Sequence, residues 1–108
     1  MIPGERFHGT PEGAHIEQIY CDSMDFDPAP YAGTIDFCFV DASHAYEHVK
    51  RDTENALRLV RPGGTILWHD YSRWWTGVQR ALDERAGELP LRAIRRTSLA
   101  TLVVSARA

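Results

Sequence analysis

Between Ile35 and Trp68 the chain passes from a short apolar run, through a helical stripe, to a second apolar run, and this order leaves few architectures open. The first run, Ile35–Val40 (IDFCFV), is rich in β-branched and aromatic residues. Apolar side chains on both of its faces predict an interior parallel strand with helices on both sides. From Tyr46 to Val60 the positions 46, 49, 53, 56, 57 and 60 recur at helical spacing, counting the Thr53 methyl as apolar, while Glu54 and Arg58 pair one turn apart on the outer face. Ser43 is placed to cap this helix, and Glu47 in its first turn suits the positive end of the helix dipole. Arg61-Pro62-Gly63-Gly64 predicts the stop, with glycine supplying a left-handed cap. Thr65–Trp68 (TILW) then predicts a second buried strand. A strand, a helix and a second strand at this spacing form a βαβ crossover, hence an α/β fold with parallel central strands.

The flanks are less regular. Residues 1–14 hold three glycines and two prolines without periodicity and predict a loop. His15–Cys21 (HIEQIYC) predicts a short strand ending at Asp22-Ser23, and the prolines of Asp25–Gly33 predict a turn-rich connection. Trp75–Glu88 carries a second helical pattern through Val78, Ala81, Leu82 and Arg85. Leu91–Ile94 and Leu99–Val104, separated by Arg95–Ser98, predict a closing hairpin. The 108 residues accommodate one small domain. It divides into an opening loop (1–14), three strands and a crossover helix beyond it (15–71), and a helix with a hairpin (72–108).

Composition narrows the function classes. With 44% hydrophobic and 25% charged residues the chain is of ordinary globular type, and a net charge of −3 gives no pull towards nucleic acid or an anionic membrane. The arginines at 92, 95, 96 and 107 are expected to form a solvated face. Two distant cysteines without CxxC spacing argue against a zinc site or disulfide framework and favour a cytoplasmic setting. There is no signal-peptide-like start, and no run approaches the about 20 apolar residues that span a bilayer.

In an open parallel sheet, ligands collect beyond the carboxyl ends of the strands. Each predicted strand end carries a polar cluster: Asp22-Ser23, Asp41-Ala42-Ser43-His44 and His69-Asp70-Tyr71. Each has a plain structural reading as a turn start, a cap or a strand-ending pair. All three on one edge, with three acids and two histidines between them, point to a site.

The run at 35–71, IDFCFVDASHAYEHVKRDTENALRLVRPGGTILWHDY, resembles the fourth strand, following helix and fifth strand of class I S-adenosylmethionine-dependent methyltransferases, most closely the bacterial small-molecule O-methyltransferase-like group. CDSMDFD at 21–27 is similar to that family's third-strand segment, and LPLRAIRRTSLATLVV at 89–104 to its closing hairpin. The resemblance implies a partial Rossmann-like sheet and methyl transfer to a small-molecule acceptor, through an oxygen. It places Asp22 and Ser23 against the adenine of S-adenosylmethionine, and Asp41, Ala42, Ser43 and His44 against its methionine end. In metal-dependent relatives, acids ending the fourth and fifth strands hold a divalent cation such as Mg2+; here these are Asp41 and Asp70. His44 and His69 are both candidate general bases, a task suited to histidine's near-neutral pKa. Trp74 and Trp75 are placed either to line an acceptor pocket or to pack on the sheet.

The sequence departs from that family at its start. It has no Gly-rich turn after a first strand and no acid ending a second. In the family's sheet order, 3-2-1-4-5-7-6, His15–Cys21 is then left without a neighbour and Ile35–Val40 with an open edge. A truncated product, a half-domain completed by another chain or a gene fragment is therefore expected, with association into a homo-oligomer as a further expectation. The rival reading is a non-catalytic binding or assembly module that dimerises through the open strand edge. A metal-dependent phosphohydrolase built on His69-Asp70 is disfavoured, because such enzymes set their His-Asp pairs in helical bundles.

Overall fold

Strand β1 (Ile35–Val40) lies parallel to β2 (Val60–Trp68), and helix α1 (Tyr46–Leu59) makes the crossover between them. The computed structural model describes residues 9–17, 19 and 21–105. Helix α2 (Thr76–Asp83) follows β2, and the short strands β3 (Arg92–Ala93) and β4 (Ala100–Val103) close the chain as an antiparallel hairpin. The sheet order is β1-β2-β4-β3, with β4 antiparallel to β2. This is the 4-5-7-6 portion of the order implied by the resemblance.

The helical stripe read from the sequence is the core. Val49, Thr53 and Ala56 of α1 pack with Val60, Ile66 and Trp68 of β2, with Val78, Ala81 and Leu82 of α2, and with Ala100 and Leu102 of β4. Tyr46 and Leu57 complete the stripe, half-buried. Thr53 contributes more than its methyl: its hydroxyl accepts a hydrogen bond of 3.0 Å from the buried Trp68 Nε1, so the indole N–H is not left unpaired.

Several expectations need correction. His15–Cys21 is not a strand among its described residues. A 3-10 turn at Glu12–His15 leads into an extended Ile16 that joins no ladder, since a strand without a partner has nowhere to place its backbone hydrogen bonds. Ser43 does not cap α1. The capping position is Ala45, and the Ser43 hydroxyl instead accepts from the Ala45 N–H one step earlier. Nor does glycine end α1: Val60 turns extended at once, its N–H still bonded to the Ala56 carbonyl, and β2 begins there. Arg61–Gly64 forms a bulge in β2 between the pairs Ile35–Val60 and Phe37–Thr65. Gly63 supplies the left-handed turn of that bulge at φ +86. Its N–H donates to Val104, tying the bulge to the end of the chain. The second helix is shorter than read, with irregular turns replacing it after Asp83.

The double-sided burial expected of β1 is also not found. Cys38 and Val40 lean on the core, whereas Phe37 and Phe39 point to the opposite face and stay about half exposed. Thr65, Leu67, Thr101 and Val103 share that face through the strand register. The core, with residues of both helices, therefore lies on one side of the sheet. The outer edge of β1 pairs with no strand among the described residues, as the sequence led us to expect. No helix there is long and apolar enough to cross a membrane, and both cysteines are free.

Candidate functional site

Parallel pairing brings two of the three polar clusters together. The last rung joins Val40 to Trp68, and the His69 N–H still donates to the Val40 carbonyl at 3.1 Å. Asp41 and His69 consequently leave the sheet side by side. Asp70 then takes a left-handed backbone, φ +59, and its side chain turns back towards the same point. Tyr71 pins the following turn from both ends, its N–H on Ser98 and its hydroxyl on Asp83.

The result is a compact set of donors. Asp41, His69 and Asp70 each present one ligand atom, and these lie within 4.8 Å of one another. His69 Nδ1 is 3.2 Å from Asp41 Oδ1 and 3.1 Å from Asp70 Oδ2. It is shielded from solvent and makes a hydrogen bond with neither oxygen. Two carboxylates and an imidazole nitrogen this close are a donor set that fits a divalent metal, and their contacts are also those of an ion pair between His69 and the two acids.

His44 approaches Asp70 from the other side, with Nε2 at 2.6 Å from Oδ2. This hydrogen bond holds the Asp70 carboxyl below its ordinary range; partial burial opposes it, and the adjacent His69 ring adds to the lowering. The His44 ring also stacks on Trp75, with centroids 3.7 Å apart and planes 16° from parallel. That stack depends on a close approach of the two helix starts. A Cβ on Gly77 would stand 2.3 Å from the His44 carbonyl oxygen and 2.8 Å from the Tyr46 nitrogen. Only glycine lets α2 begin there.

The remaining site residues are distributed less evenly. Ser23, Asp41 and Ala42 share the wall of a 230 Å³ cavity between the end of β1, α1 and the 23–26 loop, with Phe26, Phe39 and Asn55. Asp22 does not line it. Its carboxylate accepts from the Met24 N–H and stands 3.8 Å from His48 Nε2. Ser43 is occupied at the helix entrance. A larger opening of 640 Å³ between Tyr46, Arg80 and Glu84 contains none of the expected site residues.

Sequence reasoning missed three participants. Asn55 donates to the Ser23 carbonyl and so fastens the 23–26 loop to α1; a polar residue next to Ala56 in the buried stripe was the available signal. His48, one turn into α1, was the second; the third was the role of Trp75, read only as a pocket wall or packing residue, as the platform for His44. Trp74, by contrast, is 79% exposed, with the Arg73 guanidinium 5.7 Å from its ring centroid.

Comparison with known proteins bears on the family and the fold. The profile of a methyltransferase domain matches residues 8–71, more than half of the chain, and the chain belongs to that family. Among solved structures, the apo form of CalS11, a TDP-rhamnose 3'-O-methyltransferase of calicheamicin biosynthesis, superposes with a TM-score of 0.62 at 20% identity. The match covers 84% of this chain and 44% of that one. It establishes a shared fold, and this chain spans less than half the length of that relative. No curated protein sequence matches.

Proposed function

We propose that this chain provides the acceptor-side portion of an S-adenosylmethionine-dependent methyltransferase acting on an oxygen of a small molecule. The observation that carries the reading is the convergence of Asp41, His44, His69 and Asp70 beyond the carboxyl ends of β1 and β2, in a chain of the methyltransferase family. The 230 Å³ cavity at Ser23, Asp41 and Ala42 is smaller than the roughly 300–1,000 Å³ that houses a whole small ligand. It suits one part of the cofactor, with Phe26 and Phe39 as apolar walls for a ring and Asp41 as the polar group at its rim.

The chemistry is an in-line displacement. The acceptor oxygen forms a bond to the methyl carbon while the carbon–sulfur bond breaks, and its electron pair returns to sulfur. The acceptor's proton must leave. Asp70 accepting from Nε2–H of His44 leaves Nδ1 of that ring as the basic nitrogen, and the Trp75 stack fixes the plane in which it works. A divalent cation held by Asp41 and Asp70 would supply Lewis acidity that lowers the pKa of the acceptor hydroxyl. His69, wedged between the two acids, would be a further ligand of that cation, which supports His44 as the proton acceptor.

Isothermal titration with S-adenosylhomocysteine tests this reading. Binding heat that is lost when Asp41→Ala removes the rim carboxylate is expected. Absence of heat at high ligand concentration, together with a stable dimer by light scattering, would overturn it. That second pattern is what an assembly module would give, a reading favoured by the exposed Phe37, Phe39 and Val103 on the open sheet face.

A further inference from the structure

We propose that His69 ligates the site's cation through Nδ1, and that this nitrogen turns the preference of the site from Mg2+ towards a first-row transition-metal dication such as Co2+ or Mn2+. The inference rests on the cation-holding part of the function proposed above. It begins from a ring nitrogen wedged between two carboxylates. His69 Nδ1 is closed off from solvent, yet neither neighbouring carboxylate oxygen completes a hydrogen bond with it. Asp41 Oδ1 and Asp70 Oδ2 flank it at 3.2 and 3.1 Å.

Those separations carry information about size. A small dication sits about 2.1 Å from nitrogen and oxygen donors, which sets neighbouring donors about 3.0 Å apart at right angles and about 3.4 Å apart in a tetrahedron. Both distances fall inside that interval. Two of the three donor pairs are thus spaced as a small ion requires.

Donor chemistry then chooses among small ions. Mg2+ takes oxygen ligands and holds its waters, whereas imidazole nitrogen suits the later first-row metals. Two carboxylates and one imidazole make a mixed set that discriminates in their favour. His44 supports the arrangement from outside: its hydrogen bond to Asp70 Oδ2 uses one lone pair of that oxygen and orients the other. Asp41 and His69 remain 45% and 40% exposed at their side chains, so an ion can enter and keep open positions.

The test uses the 108-residue chain, titrated separately with Co2+ and Mg2+ and followed by heat and by the visible absorption of Co2+. The wild-type chain should bind Co2+ at least about tenfold more tightly than Mg2+, because nitrogen ligation favours the later metal. His69→Ala should lose about tenfold or more in Co2+ affinity and change the Co2+ spectrum, while His69→Asp, with an all-oxygen set, should narrow the Co2+ to Mg2+ ratio. Pulsed electron paramagnetic resonance of Mn2+ bound to the wild-type chain needs no variant and should show coupling to one imidazole nitrogen. Absence of that coupling, or a Co2+ to Mg2+ ratio that is the same in wild type and His69→Asp, would overturn the proposal. Neither result bears on the S-adenosylhomocysteine titration, so failure of this ligation and failure of the methyl-transfer reading are told apart.

Discussion

Thr53→Val isolates a single atom's contribution to the core. Trp68 is 0% exposed and Thr53 1%, so no water reaches the 3.0 Å hydrogen bond between the indole Nε1 and the threonine hydroxyl. Valine keeps the branched shape and replaces the hydroxyl with a methyl, leaving the indole N–H buried without an acceptor. That unsatisfied donor costs about 1–3 kcal/mol, and the added apolar methyl offsets part of it. A net loss of about 1–2 kcal/mol is expected, which for a domain of this size lowers the melting temperature by roughly 4–16 °C. Urea unfolding should show a lower midpoint with an unchanged slope. The decisive comparison is a double-mutant cycle, because in a Trp68→Phe background there is no donor to strand and Thr53→Val should become nearly neutral. An equal loss in both backgrounds would refute the argument and assign the cost to packing. The outcome bears on the site, since Trp68 is the last residue of β2 before His69 and Asp70.

Three other perturbations follow from the contacts around α2. Gly77→Ala forces a Cβ into the His44 and Tyr46 backbone and should cost about 1–3 kcal/mol by chemical unfolding, with the Trp75 stack displaced. Trp75→Ala should shift the His44 ring-proton resonances downfield, by removing the ring stacked at 3.7 Å, whereas Trp75→Phe should restore most of the shielding. The Tyr46 hydroxyl donates to Glu84, and that bond holds the Glu84 carboxyl below its ordinary range. A carboxyl lowered by folding lends stability above its unfolded pKa, near 4.5, and loses it as pH falls through the lower folded value. Tyr46→Phe should therefore be less stable than wild type at pH 6, and the difference should shrink as pH falls through the lowered folded value, in thermal melts followed by circular dichroism.

The parts of this molecule that could be read in advance are those governed by local periodicity. The stripe at 49, 53, 56 and 60 and the apolar runs at 35–40 and 65–68 require only near neighbours in sequence to be recognised. So does the placing of Asp41 and His69-Asp70 at strand ends, which the parallel register then brings together. What stayed hidden depends on partners far along the chain. His15–Cys21 has the composition of a strand but lacks a ladder to join. Pro62-Gly63-Gly64 carries the residues of a helix stop, yet Val60 has already left the helix, and the glycines serve a bulge held by Val104. IDFCFV is apolar apart from Asp36, and Asp36 shares the alternation of Cys38 and Val40, so the pattern gave no means of telling that the core lies on the Cys38 and Val40 side only. The bond between His44 and Asp70 spans 26 residues, and no spacing rule pairs them.

The left-handed backbone at Asp70 limits how this position can be altered in the laboratory or by drift. Aspartate and asparagine enter that conformation with little penalty, and glycine with none, while other side chains meet their own backbone. A saturation library at position 70 should thus return mainly Asn and Gly among folded clones. Glutamate, the usual swap that preserves charge, meets the backbone penalty as well as carrying its carboxylate one methylene too far. Charge can be removed at this corner far more readily than it can be moved, so tuning of the site by substitution must run through Asp41 and His69.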